Sequence, residues 1–381
     1  MADNNENKVL NVPHLRFPEF SGEWNKYTIN DLATVVGGGT PDTTVKSYWG
    51  GDIQWFTPSE IGKNKYVDFS LRTITRDGLD NSSAKLLPLH TILLSSRATV
   101  GECSIASNEC TTNQGFQSLI AKQCNIDFLY YLIQTKKKDL IRNACGSTFL
   151  EISANEIRKI KVAVPVQNEQ EQIAKLLSLI DERIATQNKI IEDLKKLKSA
   201  ITDLLFHSIA DAHTIRLGKI AHITNGAGDV QDANTEHQED WYPFFDRSEE
   251  LKWFPTYSFD KEAVIYAGEG QSFYPRYYNG KFALHQRCYA ITDFASCIIP
   301  KYCYHFMNTL NSYFVRNSVG STVPSLRMDI FQKVEIRLPP IPKQQHICKI
   351  IDAFYTKLEV EQRGISILQE LKQFLLSQMF I

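Results

Sequence analysis

The feature that most constrains this chain is an internal repeat. The stretch from Arg142 to Phe206 aligns with the stretch from Arg316 to Phe380 at a constant offset and without a gap. Identical residues at that offset include Gly146-Ser147-Thr148 with Gly320-Ser321-Thr322, Lys159 with Lys333, and Pro165 with Pro339. A fixed offset over this length indicates that one structural unit has been duplicated.

Upstream of these stretches the two copies match more loosely. Trp55 to Glu60 resembles Phe244 to Glu249, and Asn113-Gln114 stands where His285-Gln286 does. The chain therefore reads as globular unit, helix, globular unit, helix. We predict an α+β protein with two similar globular domains, two long antiparallel coiled-coil helices and an internal pseudo-twofold repeat.

After Pro165 and Pro339 the apolar residues adopt helical spacing. They recur at alternating steps of four and three residues, which is the pattern of a coiled-coil seam. The seam consists of Ile173, Leu177, Ile180, Ile184, Ile191, Leu194, Ile201 and Leu205, and of Ile347, Ile351, Phe354, Leu358, Ile365, Leu368, Leu375 and Met379. Gln187, Lys198, Glu361 and Lys372 interrupt it, and polar seam residues help to fix register and partner.

Each predicted helix has about 35 residues and would span roughly 50 Å at ~1.5 Å per residue. The connection after the first helix is short, so the second helix should run back along the first. We expect a segment at 1–22, a globular domain at 23–164, a helical spacer at 165–212, a second globular domain at 213–338 and a second spacer at 339–381.

Each helix also carries apolar residues beside its seam. The apolar face of each helix is therefore wider than a single seam requires, which suggests that helices of partner proteins pack alongside. The candidate docking residues are Leu176, Leu179, Ile190, Leu197 and Leu204 on the first helix, with Ile350, Leu371 and Leu376 on the second. A simple dimerisation zipper is the alternative, although the seam can be satisfied within one chain.

Composition sets broad limits. The chain has 42 Lys and Arg against 43 Asp and Glu, which argues against a generally basic nucleic-acid coat but allows local basic faces. Its 8 cysteines include no Cys-x-x-Cys pair, which favours reduced thiols over a metal site. No apolar run approaches the ~20 residues that span a bilayer, so we expect a cytoplasmic protein without membrane contact.

The ensemble of motifs resembles the specificity subunits of Type I restriction-modification systems. The resemblance is carried by Pro13 to Trp24, by the turn Gly37 to Pro41, by Gly146-Ser147-Thr148 and by Glu171 to Ala174 after Pro165. It covers nearly the whole chain. The second copy departs from the pattern, because Asn225-Gly226-Ala227-Gly228-Asp229 replaces the fuller glycine turn.

This resemblance implies that each globular unit is a target-recognition domain that reads one half of a split double-stranded DNA target. The helices would act as a ruler between the half-sites and would dock two methyltransferase (modification) subunits. S-adenosylmethionine would belong to those partners, and ATP with Mg²⁺ to restriction subunits that translocate and cut DNA. This chain would bind no cofactor and no metal itself.

Motifs for catalysis are missing from the sequence. The Pro-Pro pair at Pro339-Pro340 follows Leu338 and precedes Ile341, so it does not match the Pro-Pro-aromatic loop of adenine methyltransferases. Gly37-Gly38-Gly39 lacks the spacing of a nucleotide-binding glycine loop, and no P-loop pattern occurs. We therefore expect a non-catalytic DNA-binding protein, with a coiled-coil adaptor and a self-sufficient methyltransferase as the alternatives.

DNA contact requires amide, guanidinium and hydroxyl side chains that present paired donors and acceptors to base edges or phosphates. In the first domain the candidates are Thr40, Ser95, Ser96, Arg97, Thr99, Asn113, Gln114, Ser147 and Thr148. In the second they are Arg276, Tyr277, His285, Gln286, Arg287, Ser321, Thr322 and Arg327. Local turn and cap roles would explain many of the same residues.

Overall fold

A computed structural model describes residues 11–146, 150–207 and 212–381. It divides into two compact units. Unit 1 combines the chain up to Asn188 with Arg363–Ile381, and unit 2 is Lys189–Gln362. The helices are α1 Ile29–Leu32, α2 Arg76–Asp80, α3 Ile126–Thr135, α4 Lys137–Arg142, α5 Ala154–Lys159, α6 Gln167–His207, α7 Pro300–Asn308, α8 Asn311–Asn317, α9 Met328–Gln332 and α10 Ile341–Met379.

Unit 1 is built on a five-stranded sheet, a three-stranded sheet and a two-stranded ladder. Its strands are β1 Asn25–Thr28, β2 Ala33–Gly37, β3 Trp49–Phe56, β4 Tyr66–Val67, β5 Arg72–Ile74, β6 Ile92–Leu94, β7 Cys103–Ala106, β8 Cys110–Thr112, β9 Gln117–Ala121 and β10 Lys161–Val164. The sheet orders are β2-β9-β6-β7-β4 and β5-β3-β8, and β1 pairs with β10. The central strand β6 is apolar on both faces and fully buried.

Unit 2 carries a six-stranded sheet and its own two-stranded ladder. Its strands are β11 His213–Arg216, β12 His222–Asn225, β13 Tyr242–Phe245, β14 Lys252–Phe254, β15 Phe259–Ala267, β16 Arg276–Leu284, β17 Cys288–Thr292 and β18 Glu335–Leu338. The order is β12-β17-β15-β16-β13-β14, and β11 pairs with β18. In both units an antiparallel ladder thus joins the first strand to the strand that precedes a long helix.

The two long helices pack antiparallel inside each unit. In unit 1 Asp181 of α6 forms an ion pair with Lys372 of α10 at 2.7 Å. In unit 2 the Lys198 ammonium lies 4.0 Å from the centre of the Tyr355 ring. Within unit 1 the residue of α10 that faces α6 changes from Lys372 beside Asp181 to Gly364 beside Gln187, so the helices run in opposite directions. None of the predicted seam residues is exposed, and the predicted polar interruptions Lys198 and Lys372 have partners on the facing helix.

Two buried glutamines at equivalent repeat positions attach the long helices to their units. The Gln170 carboxamide oxygen accepts from the Asn125 backbone N–H at 3.0 Å, at the start of α3. The Gln344 oxygen accepts from the Ile299 N–H at 2.9 Å, at the start of α7. Each glutamine nitrogen donates to the carbonyl of the proline before its own helix, at 2.9 Å in both units. Each side chain therefore satisfies backbone groups of two elements.

Replacing Gln344 by Ala should destabilise unit 2 by roughly 1–3 kcal/mol, because buried backbone groups would lose their partners. Gln344 has no solvent exposure, whereas its neighbour Gln345 is exposed. Urea unfolding followed by the fluorescence of Trp241 and Trp253 would measure the change. Gln345→Ala is the matched control, and equal midpoints for the two variants would contradict this role.

The segment before β1 is held by one buried ion pair. The Nε and Nη2 atoms of Arg16 donate to the two oxygens of Glu169, at 2.7 and 2.8 Å. Glu169 is fully buried in the first turn of α6. The Trp24 indole N–H donates to the same carboxylate at 3.3 Å. The motif from Pro13 to Trp24 therefore has a structural function, which is to attach this segment to the long helix.

Candidate nucleic-acid interface and helix surface

Several loops of unit 1 meet where β3, β6 and β8 end. We call residues 37–41, 57–60, 95–101, 113–115, 145–146 and 150–152 loop cluster 1. Backbone hydrogen bonds join them: Gly39 N to Thr112 O at 2.8 Å, Asn113 N to Phe56 O at 3.0 Å, Ser96 N to Gly115 O at 2.9 Å, Ile152 N to Ser96 O at 2.9 Å, and Ala98 N to Leu150 O at 3.2 Å.

Unit 2 has the same arrangement. We call residues 226–228, 245–248, 268–271, 285–287 and 319–327 loop cluster 2. The corresponding bonds are Gly228 N to Leu284 O at 3.0 Å, His285 N to Phe245 O at 3.0 Å, Gly268 N to Arg287 O at 3.0 Å, Leu326 N to Gly268 O at 2.7 Å, and Gly270 N to Pro324 O at 3.0 Å. The two clusters thus share one backbone scaffold and differ in their side chains.

Glycine is required where the loops touch. A Cβ on Gly38 would lie 2.0 Å from the Asn113 carbonyl oxygen. In unit 2 a Cβ on Gly226 would lie 2.0 Å from the Leu284 carbonyl oxygen and 2.5 Å from that of His285, between the equivalent two loops. Both contacts are with backbone, which cannot give way easily. The different glycine pattern of the second copy therefore still allows a close approach between the equivalent loops.

In unit 1 the structure brings the exposed candidates together. Arg97 and Thr99 are exposed on one loop, and the Arg97 guanidinium lies 3.6 Å from the Glu151 carboxylate across the cluster. The Thr40 hydroxyl donates to the Gln114 side-chain oxygen at 2.5 Å. Asn113 is half-buried and accepts from the Gly115 N–H at 2.9 Å, a local turn bond. Ser147 and Thr148 lie outside the described residues.

Ser95 and Ser96 are corrections to the sequence-based prediction. Both are fully buried. The Ser95 hydroxyl donates to the Arg97 carbonyl at 3.0 Å and lies 3.0 Å from the Thr99 hydroxyl. These serines continue the buried strand β6 and shape the turn beneath Arg97, so they do not reach solvent.

In unit 2 most candidates also converge. Gln286 and Arg287 are exposed and His285 is half-buried on one loop. Arg287 forms an ion pair with Glu269 at 2.8 Å. Arg276 donates to the Ser248 carbonyl. The remaining candidates Ser321, Thr322 and Arg327 are exposed on the 319–327 loop.

Tyr277 is the exception among the unit 2 candidates. Its hydroxyl donates to the Glu262 carboxylate of the neighbouring strand. Its ring centre lies 5.8 Å from that of Tyr304 on α7. Side chains alternate between the two faces of a strand, so Tyr277 and Arg276 point to opposite faces. The structure therefore places Tyr277 among the helices and away from loop cluster 2.

The sequence-based prediction did not include the acidic side chains of loop cluster 2. Asp246 and Glu269 line a cavity of about 550 Å³ together with His285 and Arg287. Burial alone would raise the pKa of Asp246, but bonds from Lys252 at 2.6 Å and from Ser248 outweigh it, and the pKa lies below its ordinary value. Glu269 occupies the repeat position of Arg97. This correspondence is recognised from the equivalent backbone hydrogen bonds of the two clusters and not from the sequence alignment.

The helices carry a second candidate surface. Ile367, Leu371 and Phe374 form stripe 1 on α10 in unit 1, and they are 64%, 43% and 56% exposed. Ile190, Leu197 and Leu204 form stripe 2 on α6 in unit 2, and they are 38%, 50% and 60% exposed. Leu197 and Leu371 occupy equivalent positions of the repeat. Each unit therefore exposes an apolar row beside the buried seam.

The predicted docking residues follow these stripes in part. Leu179 is also exposed at 54%, while Leu176 and Ile350 are half-buried. Leu376 is a correction, because it is only 6% exposed. The last turns of α10 pack into the unit 1 core, where the Phe380 ring stacks on Phe128 with centres 5.2 Å apart. Phe374 was not among the docking residues predicted from the sequence.

Among the described residues, no group of three or more His, Cys, Asp or Glu side chains is arranged to hold a metal ion. No helix within the described ranges combines the length and apolar character that a membrane span needs.

Comparison with known proteins gives concordant matches. The family model for the Type I restriction modification DNA specificity domain matches twice, at residues 21–196 and 210–373. The chain is 28% identical to the Type I restriction enzyme MjaIX specificity subunit of Methanocaldococcus jannaschii, over 94% of this chain and 92% of that protein. It is 28% identical to the EcoR124I/EcoR124II specificity subunit of Escherichia coli, over 48% of this chain and 46% of that protein.

The fold also matches a solved structure. The Type I restriction-modification S subunit from M. genitalium superposes with a TM-score of 0.63 at 18% sequence identity. The match covers 97% of this chain and 99% of that one. At this level of identity the match supports the overall architecture, which is the predicted α+β fold with an internal repeat.

Proposed function

The chain belongs to the Type I restriction-modification DNA specificity family, and we propose that its two loop clusters each read one half of a split DNA target. The observation that carries this proposal is the duplicated scaffold with different side chains. One scaffold fixes the same loops in both units, whereas Arg97 and Glu151 in cluster 1 are replaced by Glu269 and Ser325 in cluster 2. Two clusters that share a backbone scaffold but carry different side chains are suited to reading two different half-sites.

The exposed guanidinium groups support direct base reading. Arginine recognises guanine through two donors at once, which requires a defined orientation. Arg97 and Arg287 are each held by a carboxylate of their own cluster. Because both guanidinium groups are open to solvent, the pairs add little to stability, and their value lies in orienting the guanidinium. We assign these two arginines as the leading base-contact residues.

We infer that the chain docks one modification subunit on each stripe. Exposed apolar rows on soluble proteins mark partner surfaces when they are contiguous, and each unit carries one. S-adenosylmethionine would be bound by those partners, and ATP with Mg²⁺ by restriction subunits. The chain itself would contribute recognition without catalysis, in agreement with the missing methyltransferase and P-loop motifs.

Co-expression with an adenine methyltransferase encoded beside this chain's gene, followed by mapping of methylated adenines, tests the proposal. We expect a split, asymmetric motif. A continuous palindrome, or no methylation by an assembled complex, would count against bipartite reading.

Arg97→Ala should weaken methylation through the first half-site alone, and Arg287→Ala through the second alone. A lost bidentate base contact costs about 1–3 kcal/mol, or roughly 5- to 150-fold in affinity. Methylation rates on DNA with single-base changes in either half-site would separate the two effects. Arg76→Ala is the matched control, since Arg76 is exposed outside the cluster and pairs with Asp80. Unchanged half-site preference in both variants would remove the arginines from the interface.

A further inference from the structure

A turn in unit 1 presents two apolar side chains to solvent. Phe69 is 79% exposed and Leu71 is 88% exposed. We call this pair the apolar tip. Large apolar groups this exposed on a loop are unfavourable in water unless a partner covers them. The tip lies before β5 and was not among the residues that the sequence singled out.

The turn is held rigidly between the two side chains of the tip. The Ser70 N–H donates to the Gln54 side-chain oxygen at 2.7 Å, and the Ser70 hydroxyl donates to the Arg72 carbonyl at 2.6 Å. The Trp55 N–H donates to the Ser70 hydroxyl at 2.9 Å. Ser70 therefore anchors the turn from inside, so Phe69 and Leu71 are exposed by a fixed backbone.

The tip is joined directly to loop cluster 1. One oxygen of Glu60 accepts from the Leu71 N–H at 2.6 Å. The other accepts from the Thr57 N–H at 2.7 Å and from its hydroxyl at 2.6 Å. A single carboxylate thus connects the tip to a loop of the cluster.

Unit 2 repeats the leucine of the apolar tip. Trp55 pairs with Arg72 between β3 and β5, and Phe244 pairs with Lys252 between the equivalent strands β13 and β14. A leucine precedes the cation in both places. Leu251 is 45% exposed. The recurrence of an exposed leucine at the same point of two diverged copies indicates a shared use of the leucine. The cation beside it differs, because Lys252 is paired with the buried Asp246 carboxylate.

The neighbouring cation indicates the kind of partner. The Arg72 guanidinium lies 3.7 Å from the centre of the Trp49 ring, which holds it in place. A fixed cation beside the apolar tip favours a partner whose surface has anionic groups next to apolar groups. Duplex DNA has this pattern, since phosphates border grooves that expose base edges and thymine methyl groups.

We propose that the apolar tip, and Leu251 at its place in unit 2, enter a groove of the target duplex and contact the bases. This inference rests on the proposed function of the loop clusters. Arg72 would contact an adjacent phosphate. The tip would then add apolar base contacts to the polar contacts made from Arg97.

The test measures DNA binding by the complete complex of this chain and its modification subunits. The DNA probe carries the methylated motif that the co-expression experiment identifies. Phe69→Ser combined with Leu71→Ser should weaken binding at least tenfold. The slope of log affinity against log salt should stay unchanged, because no phosphate contact is lost. Arg72→Ala should instead reduce that slope by about one.

Leu89→Ser is the matched control, because Leu89 is 52% exposed and lies before the start of β6, whereas the cluster segment 95–101 follows the other end of that strand. Unchanged affinity in the double variant would overturn the tip while leaving the loop clusters in place. Loss of modification-subunit assembly in that variant would also overturn it, by making the tip a protein contact. A wild-type complex that assembles but does not prefer its mapped motif would overturn the proposed function itself.

Discussion

Leu197→Glu should reduce the number of modification subunits bound per chain from two to one. Leu197 is half-exposed in the middle of stripe 2, and a buried interface leucine contributes roughly 1.5–3 kcal/mol. Burying an unpaired carboxylate in its place adds a further cost of several kcal/mol. Together these effects should lower affinity at that stripe by at least 100-fold. Mass measurement of the purified complex would give the stoichiometry.

The equivalent change on stripe 1 is Leu371→Glu, and it should remove the other subunit. The two changes together should leave the chain without modification subunits. Ser199→Glu and Gln373→Glu are matched controls, because they add the same charge at exposed positions two residues further along each helix. A full complement of two subunits on the Leu197→Glu, Leu371→Glu chain would show that the partners dock elsewhere.

Arg16→Ala should destabilise unit 1 by about 3–5 kcal/mol, the usual cost of leaving a buried charge unpaired. Glu169 is fully buried, and Arg16 supplies two of its hydrogen bonds. The pKa of Arg16 is raised, chiefly by its hydrogen bond to Glu169, so the guanidinium stays charged. Urea unfolding followed by Trp24, Trp49 and Trp55 fluorescence would report on this unit.

Two further variants separate the cause. Arg76→Ala removes an exposed pair with Asp80 in the same unit, and such pairs contribute at most ~1 kcal/mol. Arg16→Met with Glu169→Gln removes both charges together, and it should recover part of the loss. If Arg16→Ala and Arg76→Ala unfold at the same urea concentration, the buried pair does not hold the segment.

The sequence predicted the architecture well because its evidence is periodic. The constant offset between Arg142–Phe206 and Arg316–Phe380 required two similar units. Apolar spacing predicted both long helices, and the structure extends them to 41 and 39 residues. The pairing of His285-Gln286 with Asn113-Gln114 was also confirmed by equivalent hydrogen bonds. Such patterns lie in the order of residues along the chain, so they can be recognised without knowledge of tertiary contacts.

Tertiary structure alone decided which candidate side chains are available. Ser95 and Ser96 have the composition of a binding loop, yet both are buried. The distant residues Gly115 and Ile152 bond to the Ser96 backbone, and Gly101 and Glu102 bond to the Ser95 backbone. Leu376 has the spacing of a docking residue, but the core of unit 1 covers it. The internal repeat thus determined the number and kind of units, whereas the exposure of each side chain depended on contacts between residues far apart in the chain.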